Sequence, residues 1–212
     1  MLSVESIGVA LVGYILGSIP FGVLVAKRNG VDIFSVGSGN PGATNVLRSI
    51  GRPAGYLVFF LDFLKGLIAT TWFLLPWISF SGDISLGLWG LPGAVLGHTF
   101  PLFTGFRGGK GIATLLGLML GVYWQAAVAS ILVFIITFLI SRYVSLSSIV
   151  STIFFPVIVI LLPYQGIITF QDANNSLIIF SVFVPILTLI THQKNIERLI
   201  RREENKANFD KK

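Results

Sequence analysis

Long apolar runs separated by short polar segments form the dominant pattern of the chain. The runs cover residues 4–26, 53–77, 86–104, 112–140, 148–163 and 176–191. A helix that crosses a bilayer needs about 20 mostly apolar residues, and each run approaches or exceeds that length. The pattern therefore predicts an all-α integral membrane protein, with a single membrane domain over residues 1–212.

Charged residues set the orientation of the predicted spans. Lys27 and Arg28 follow the first run, and the positive-inside rule assigns such residues to the cytoplasm. The N-terminus is therefore expected outside. No basic flank precedes the first run and no small-residue cleavage pattern follows it, so we interpret it as a retained span rather than a signal peptide.

The run over 112–140 is long for one crossing and short for two. If it crossed once, Arg142 and the basic tail 192–212 would both lie outside. Two crossings, 112–123 and 126–140, with a turn at the polar-aromatic sequence YWQ, return both to the cytoplasm. This reading predicts seven spans, a cytoplasmic C-terminus, and 14 of the 15 basic residues on the inner side.

Composition agrees with a membrane protein and excludes several other classes. Hydrophobic residues make up 54% and charged residues 11% of the chain, and the mean hydropathy is +0.85. The net charge of +6 follows the predicted topology rather than a basic face, so no nucleic-acid partner is expected. The chain has no cysteine and two histidines 94 residues apart, so no thiolate cluster and no metal site is expected.

The polar segment VGSGNPGATNVLRSIG, residues 36–51, stands out among the apolar runs. Its glycines allow close backbone approach and positive φ, so that consecutive N–H groups can hold an anion. Small hydroxyl and amide groups add hydrogen bonds, and an arginine adds a fork suited to phosphate. The alternative is a plain turn leading into a short amphipathic helix. The candidate ligand groups are Gly37, Ser38, Gly39, Asn40, Gly42, Thr44, Asn45 and Arg48.

A second glycine-rich segment, FRGGKGIAT, opens the apolar run at residue 112. Free N–H groups and the helix dipole favour an anion at such a position, and a lysine adds a mobile cation. The segment is not a Walker A motif, because the leading glycine spacing and the hydroxyl residue after lysine are missing. The alternative is a flexible hinge. The candidate phosphate-binding residues are Gly108, Gly109, Lys110 and Gly111.

Asp62, Lys65 and His98 are ionisable residues that fall well inside predicted spans. Asp62 and Lys65 are three residues apart on one helix face, and we interpret them as a structural pair that neutralises itself, with a functional role as the alternative. We interpret His98 as a histidine hydrogen-bonded within the helix bundle rather than as a base.

The end of the last span carries a further polar cluster, THQKNIERLIRREENK. His192, Asn195 and Arg198 fall on successive turns of one helix face, and His192 can accept a proton near neutral pH. Lys194, Arg201 and Arg202 fit a basic interfacial helix on anionic lipid.

The segment SRYVSLSS adds Arg142, Ser145 and Ser148 on the same predicted side. The two serines are candidate ligands, or else small residues that let helices pack closely. The sequence offers no Ser-His-Asp arrangement and no paired carboxylates, so positioning and electrostatic clamping are the expected chemistry.

Together these segments resemble the PlsY family of bacterial acyl-phosphate:glycerol-3-phosphate acyltransferases. The matching pieces are GSGNPGATNVLR, GHTFPLFTGFRGGKGIAT, SRYVSLSS and HQKNIERL, supported by DFLKG and GSIPFG. The resemblance implies a seven-span plasma-membrane enzyme without metal or cofactor. It would move a fatty acyl group from acyl phosphate to the 1-hydroxyl of sn-glycerol 3-phosphate at a cytoplasm-facing site, giving lysophosphatidic acid and phosphate.

The resemblance also assigns residue roles and reveals departures. Essential polar positions of the first and third motifs fall on Ser38, Arg48, His192 and Asn195, and the glycine-lysine motif is associated with phosphate binding. Gln193 stands where the family usually has arginine, and Arg202 stands near a common glycine. Glu203 and Glu204 are therefore both candidates for the acidic position that follows.

Two other functions are alternatives. One is a membrane transporter of a phosphorylated metabolite, although such proteins commonly place their site at the midplane between repeats, and no repeat is visible. The other is an acyltransferase that uses acyl-CoA or acyl carrier protein, which the absence of the His-x4-Asp box disfavours. The base is either His192 or a substrate phosphate oxygen, and the sequence leaves protein partners unknown.

Overall fold

A computed structural model describes residues 3–75, 85–162 and 173–207. These ranges hold helices, turns and loops without a strand, which confirms the all-α prediction. The chain divides into two compact units, Met1–Val122 and Tyr123–Lys212. In chain order the helices are α1 (Val4–Ser18), α2 (Phe21–Arg28), α3 (Ala43–Ser49), α4 (Arg52–Thr71), α5 (Ser85–Thr99), α6 (Ile112–Val122), α7 (Trp124–Ser141), α8 (Val144–Leu161), α9 (Ala173–Thr191) and α10 (Gln193–Ile200).

Four stretches within the described residues are long and apolar enough to cross a membrane. They are Val4–Arg28, Arg52–Leu74, Trp124–Ser141 and Val144–Leu161, and the bent pair Leu177–Thr191 with Gln193–Ile200 makes a fifth if counted as one span. Helix α6 has only 11 residues. The predicted count of seven spans therefore stays a prediction.

The first predicted span is two helices rather than one. Helix α1 ends at Ser18 and α2 begins at Phe21, with Ile19 in an extended conformation before Pro20. Proline lacks an N–H group and disfavours helical backbone in the residue before it. The Lys65 ammonium group on α4 donates to the Ile19 carbonyl oxygen at 2.9 Å, which satisfies a backbone acceptor exposed by the break.

Close helix contacts hold the first unit together. A Cβ atom on Gly17 of α1 would collide with the backbone of Ala94 on α5, and one on Gly66 of α4 would collide with the Thr114 carbonyl of α6. Small residues allow such approaches between membrane helices.

Helix α5 ends at Thr99, five residues before the predicted end at 104, because Pro101 removes an N–H donor from the next turn.

The predicted turn between residues 123 and 126 is shorter than expected. Helix α6 ends at Val122 and α7 begins at Trp124, so only Tyr123 separates them. Similarly, α8 begins at Val144, four residues earlier than predicted. Arg142 takes a positive φ of 64° and closes α7, so the chain turns within two residues. Ser145 therefore lies on a helix and not in a loop. The predicted span ends at residues 77 and 163 lie outside the described residues.

The last helix bends sharply where the sequence predicts one continuous face. Helices α9 and α10 meet at 65°, and His192 lies at the bend between them. After α10, Arg202 takes a φ of 60°, the left-handed conformation that favours glycine. The chain then turns back, and the Ala207 N–H donates to the Arg142 carbonyl oxygen at 2.8 Å.

The Glu204 carboxylate fixes this returning segment within the second unit. It accepts hydrogen bonds from Ser145 Oγ at 3.0 Å, Asn195 Nδ2 at 2.8 Å and Arg198 Nε at 2.7 Å. Burial opposes ionisation of Glu204, but the hydrogen bonds from Arg198, Asn195 and Ser145 outweigh it and lower its pKa below the ordinary value of 4.5. The ionised carboxylate is therefore the form that the fold stabilises.

Glu204→Gln is expected to lower the stability of the protein in detergent at pH 7. Loss of charge-assisted hydrogen bonds costs about 2 kcal/mol, or roughly 4–8 °C in melting temperature for a chain of this size. Because the folded pKa is lowered, the contribution is complete above pH 4.5 and is lost as the pH falls through the folded pKa. The difference between wild type and variant, measured by thermal unfolding, should therefore shrink below pH 4.5.

The exposed neighbour Glu203 provides the matched control. Glu203→Gln removes the same charge one residue away and should leave the melting temperature unchanged. Equal melting temperatures for the two variants at pH 7 would contradict the anchoring role of Glu204.

Candidate active site

The first glycine loop rests on a small apolar core in the first unit. It connects α2 to α3, and the buried side chains of Ala26, Ile33, Val46 and Val58 pack together beneath it. These residues come from both flanking helices, the loop itself and α4. The hydrophobic pattern around the motif therefore gives the loop a defined shape despite its glycines.

Asn45 braces the loop from α3. Its Oδ1 accepts from the Ser38 N–H at 2.9 Å, and its Nδ2 donates to the Val36 carbonyl oxygen at 3.1 Å. Gly37 has a φ of 57°, and a Cβ atom there would collide with Asn45 Oδ1. The amide of Asn45, a predicted ligand group, is thus engaged with the loop backbone, and its role toward a substrate stays a prediction.

The remaining candidate ligand residues of this motif differ in their exposure to solvent. Ser38 and Arg48 are exposed, while Thr44 is partly buried on α3. Asn40 Oδ1 accepts from the Gly42 N–H at 2.9 Å, which makes a local turn before the helix. The motif is therefore a braced glycine loop followed by a short helix, and its binding of an anion stays a prediction.

The second glycine loop is held against the end of α5. The Gly109 N–H donates to the His98 carbonyl oxygen at 3.0 Å. A Cβ atom on Gly108 would collide with the carbonyl oxygens of His98 and Thr99, so the loop needs glycine there. Gly111 has a φ of 79°, and α6 begins directly after it at Ile112. The loop opens a helix as predicted, with Lys110 partly buried within it.

The two loops meet at one cleft in the first unit. The Arg107 guanidinium lies 4.2 Å from the centre of the Phe34 ring, a cation–π contact that joins them. The lining of the cleft comes from Gly17, Ile19, Pro20, Phe21, Gly22, Pro41, Asp62, Lys65, His98, Pro101, Arg107, Gly108 and Gly109.

Three buried ionisable residues also border this cleft. Lys65 Nζ lies 2.8 Å from Asp62 Oδ1, which confirms the predicted pairing of these charges. His98 Nδ1 lies 3.2 Å from Thr114 Oγ1 and 3.6 Å from Asp62 Oδ1. The interpretation of His98 as hydrogen-bonded within the bundle is thus confirmed. Nothing in the sequence indicated that the main chain and the ring of His98 both contact the second glycine loop.

His192 lies buried in the second unit at the bend between α9 and α10. Its Nδ1 donates to the Thr188 carbonyl oxygen at 2.9 Å, since a carbonyl oxygen can only accept. In the neutral ring this hydrogen bond assigns the lone pair to Nε2. The nitrogen suited to accept a proton is therefore Nε2.

The other candidates of the second unit are organised by Glu204. Asn195 and Arg198 share one face of α10, as predicted, and both donate to this carboxylate along with Ser145. Ser148 instead donates to the Val144 carbonyl of its own helix at 2.9 Å. The sequence left open whether Glu203 or Glu204 takes the acidic position of this motif. In the structure Glu204 is buried and makes these contacts, whereas Glu203 is exposed. The signal was Arg202, which occupies a left-handed turn where glycine is common.

The available chemistry is that of cations, backbone N–H groups and a histidine. The part of the chain that the structure describes holds no group of three or more His, Asp or Glu side chains suited to a metal ion. Arg48 lies in the last turn of α3, after the first glycine loop, and Lys110 lies within the second loop. Phosphate is the ligand that such loops and cations suit.

The chain is similar to known acyltransferases over nearly its whole length. A family profile described as Glycerol-3-phosphate acyltransferase matches residues 7–202. The glycerol-3-phosphate acyltransferase of Aquifex aeolicus is 40% identical over 202 residues, covering 95% of this chain and 99% of the relative. That of Endomicrobium trichonymphae is 39% identical over 203 residues, covering 95% and 96%.

Two solved structures share the fold. One is the crystal structure of PlsY, an integral membrane glycerol 3-phosphate acyltransferase, in its glycerol 3-phosphate form. It is 38% identical, with a TM-score of 0.83 over 96% of both chains. The lysophosphatidic acid form gives a TM-score of 0.81 over 96% of this chain and 95% of that one. The chain therefore belongs to the PlsY family of glycerol-3-phosphate acyltransferases and is an integral membrane acyltransferase.

Proposed function

We propose that the protein transfers a fatty acyl group from acyl phosphate to the 1-hydroxyl of sn-glycerol 3-phosphate. The products are 1-acyl-glycerol 3-phosphate, or lysophosphatidic acid, and inorganic phosphate, in the first step of bacterial phospholipid synthesis. The observation that carries the proposal is the meeting of the two glycine loops at one cleft, lined by Pro41 of the first loop and by Arg107, Gly108 and Gly109 of the second. Acceptor and donor each bring a phosphate, so the reaction needs two neighbouring anion sites.

The related structures in glycerol 3-phosphate and lysophosphatidic acid forms support the acceptor and the product. In the proposed reaction the hydroxyl oxygen bonds to the acyl carbon, and the bond from that carbon to the phosphate oxygen breaks. Phosphate leaves with the bonding electrons, and the hydroxyl proton passes to a base. Acyl phosphate is already activated, so no covalent enzyme intermediate is required.

The proposed residue roles follow from charge and hydrogen-bonding capacity. Arg48 and Lys110 bind phosphate oxygens and offset the charge on the departing phosphate. Ser38 is exposed on the first loop and can donate to one of the phosphates. Asn195, oriented by Glu204, positions a polar substrate group. The base is either His192 through Nε2 or a phosphate oxygen of a substrate.

The proposed topology has seven spans, with the N-terminus outside and the tail 192–212 in the cytoplasm. It places the active site at the inner face of the bacterial plasma membrane. The basic residues that follow the predicted spans support this orientation. A site at that surface lets a lipid-borne acyl donor meet a water-borne acceptor.

The donor is tested with purified protein in detergent, where no sealed compartment exists. We expect acyl transfer to glycerol 3-phosphate from acyl phosphate and none from acyl-CoA or acyl carrier protein, measured as lysophosphatidic acid formed. A transporter would turn over none of the three. Equal rates with acyl-CoA would contradict the proposed donor.

Lys110→Ala and Arg48→Ala should each reduce acyl transfer by about 10²–10³-fold or more, since loss of one preorganised donor to a developing anion has that effect. Both variants should remain folded and membrane-inserted. The control is Arg201→Ala, because Arg201 is an exposed cation of the tail and has no proposed role in the site. Full activity in either loop variant would contradict the two-cation site.

The pH dependence of kcat tests the base. If His192 accepts the proton, the wild-type rate should rise with pH through the range in which histidine titrates, and His192→Gln should lose that rise. A pH profile of the same shape in His192→Gln would assign the role to a substrate phosphate.

A further inference from the structure

His98 contacts both ends of the loop that carries Lys110. Its carbonyl oxygen accepts from the Gly109 N–H at 3.0 Å. Its imidazole Nδ1 lies 3.2 Å from Oγ1 of Thr114, in the first turn of α6. Lys110 falls between these two points in the sequence, so a single residue fixes the chain on either side of it.

The imidazole ring also supports the loop from beneath. Gly109 is buried, and a Cβ atom there would collide with His98 Nε2 and lie 3.0 Å from Cε1. The backbone of Gly109 therefore rests directly on the edge of the ring. The position of the ring therefore fixes the position of the loop backbone at Gly109, the residue before Lys110.

A chain of buried contacts fixes the ring itself. Asp62 Oδ1 lies 3.6 Å from His98 Nδ1 and 2.8 Å from Lys65 Nζ, and Lys65 Nζ bonds the Ile19 carbonyl oxygen. Only 2% of Asp62, 4% of Lys65 and 8% of His98 is exposed. Closely packed, buried side chains of this kind have little freedom to move. These contacts connect the break between α1 and α2 to the second glycine loop.

We propose that His98 is a positioning residue that sets the place of Lys110 in the active site. This inference rests on the proposed function of Lys110 as a phosphate ligand. His98 acts through the loop and does not touch the reacting atoms. A displacement of about 1 Å in a substrate-binding group lowers the rate by about 10²-fold, so a modest change in the ring should have a measurable effect on catalysis.

The first test compares two identical substitutions. Thr114→Val removes the hydroxyl that meets the imidazole and keeps the shape of the side chain. Thr70→Val makes the same change in a fully buried threonine of α4 whose hydroxyl bonds only carbonyls of its own helix. In the detergent assay, Thr114→Val should raise KM for one of the two phosphate substrates about tenfold, with a smaller fall in kcat. Thr70→Val should keep both constants within twofold of wild type.

The second test asks whether the ring nitrogen is what matters. His98→Asn keeps a polar group near the position of Nδ1, and His98→Leu does not. We expect His98→Leu to raise the same KM about tenfold or more, and His98→Asn to recover most of the loss. If His98→Leu fails to fold, the comparison of His98→Asn with Thr114→Val carries the test.

Each outcome has a defined meaning. Wild type without acyl-phosphate turnover would contradict the proposed function itself. An active wild type, with Thr114→Val equal to Thr70→Val or with His98→Asn no better than His98→Leu, would overturn only the positioning role. A loss of activity in His98→Asn greater than that in Lys110→Ala would show that His98 does not act only through Lys110, and would also overturn it.

Discussion

The buried ammonium group of Lys65 is the contact on which the arrangement of the first unit depends. Pro20 breaks the first span and leaves a carbonyl oxygen without its intrahelical donor. Lys65 donates to that oxygen, and Asp62 neutralises the ammonium at 2.8 Å. Loss of one partner would leave the other charge buried, at a cost of about 3–5 kcal/mol. The break, the charge pair and the histidine beside it are thus one interdependent structure.

The second unit is organised by a buried anion, where the first unit has a buried cation. The Glu204 carboxylate collects hydrogen bonds from Ser145, Asn195 and Arg198, which come from two helices. A charge with several donors is stable only in one geometry, so it fixes the helices relative to the returning segment. In each unit, a buried ion therefore orients polar groups that local secondary structure would leave loosely placed.

The glycine loops depend on these anchors. Glycines permit the close approaches at Gly37 and Gly108, but they also leave the backbone free to adopt other conformations. Asn45 braces the first loop, and the main chain of His98 holds the second. Preorganised N–H groups and cations stabilise a charged transition state because they do not have to reorganise during the reaction. Rigid loops are therefore a requirement of the proposed chemistry.

The sequence by itself determined the all-α membrane class, the two glycine motifs and the Asp62–Lys65 pair. These features follow from composition, from the 3.6-residue helix period and from local glycine density, which are properties of neighbouring residues. Only the tertiary structure showed the hydrogen bond from Lys65 to the Ile19 carbonyl at the Pro20 break, the choice of Glu204 over Glu203 and the contact of His98 with the second loop. Each of these depends on a hydrogen bond between residues on different elements, such as Lys65 with Ile19. Hydropathy and spacing carry no information about such partners, because long-range contacts are set by how the helices pack.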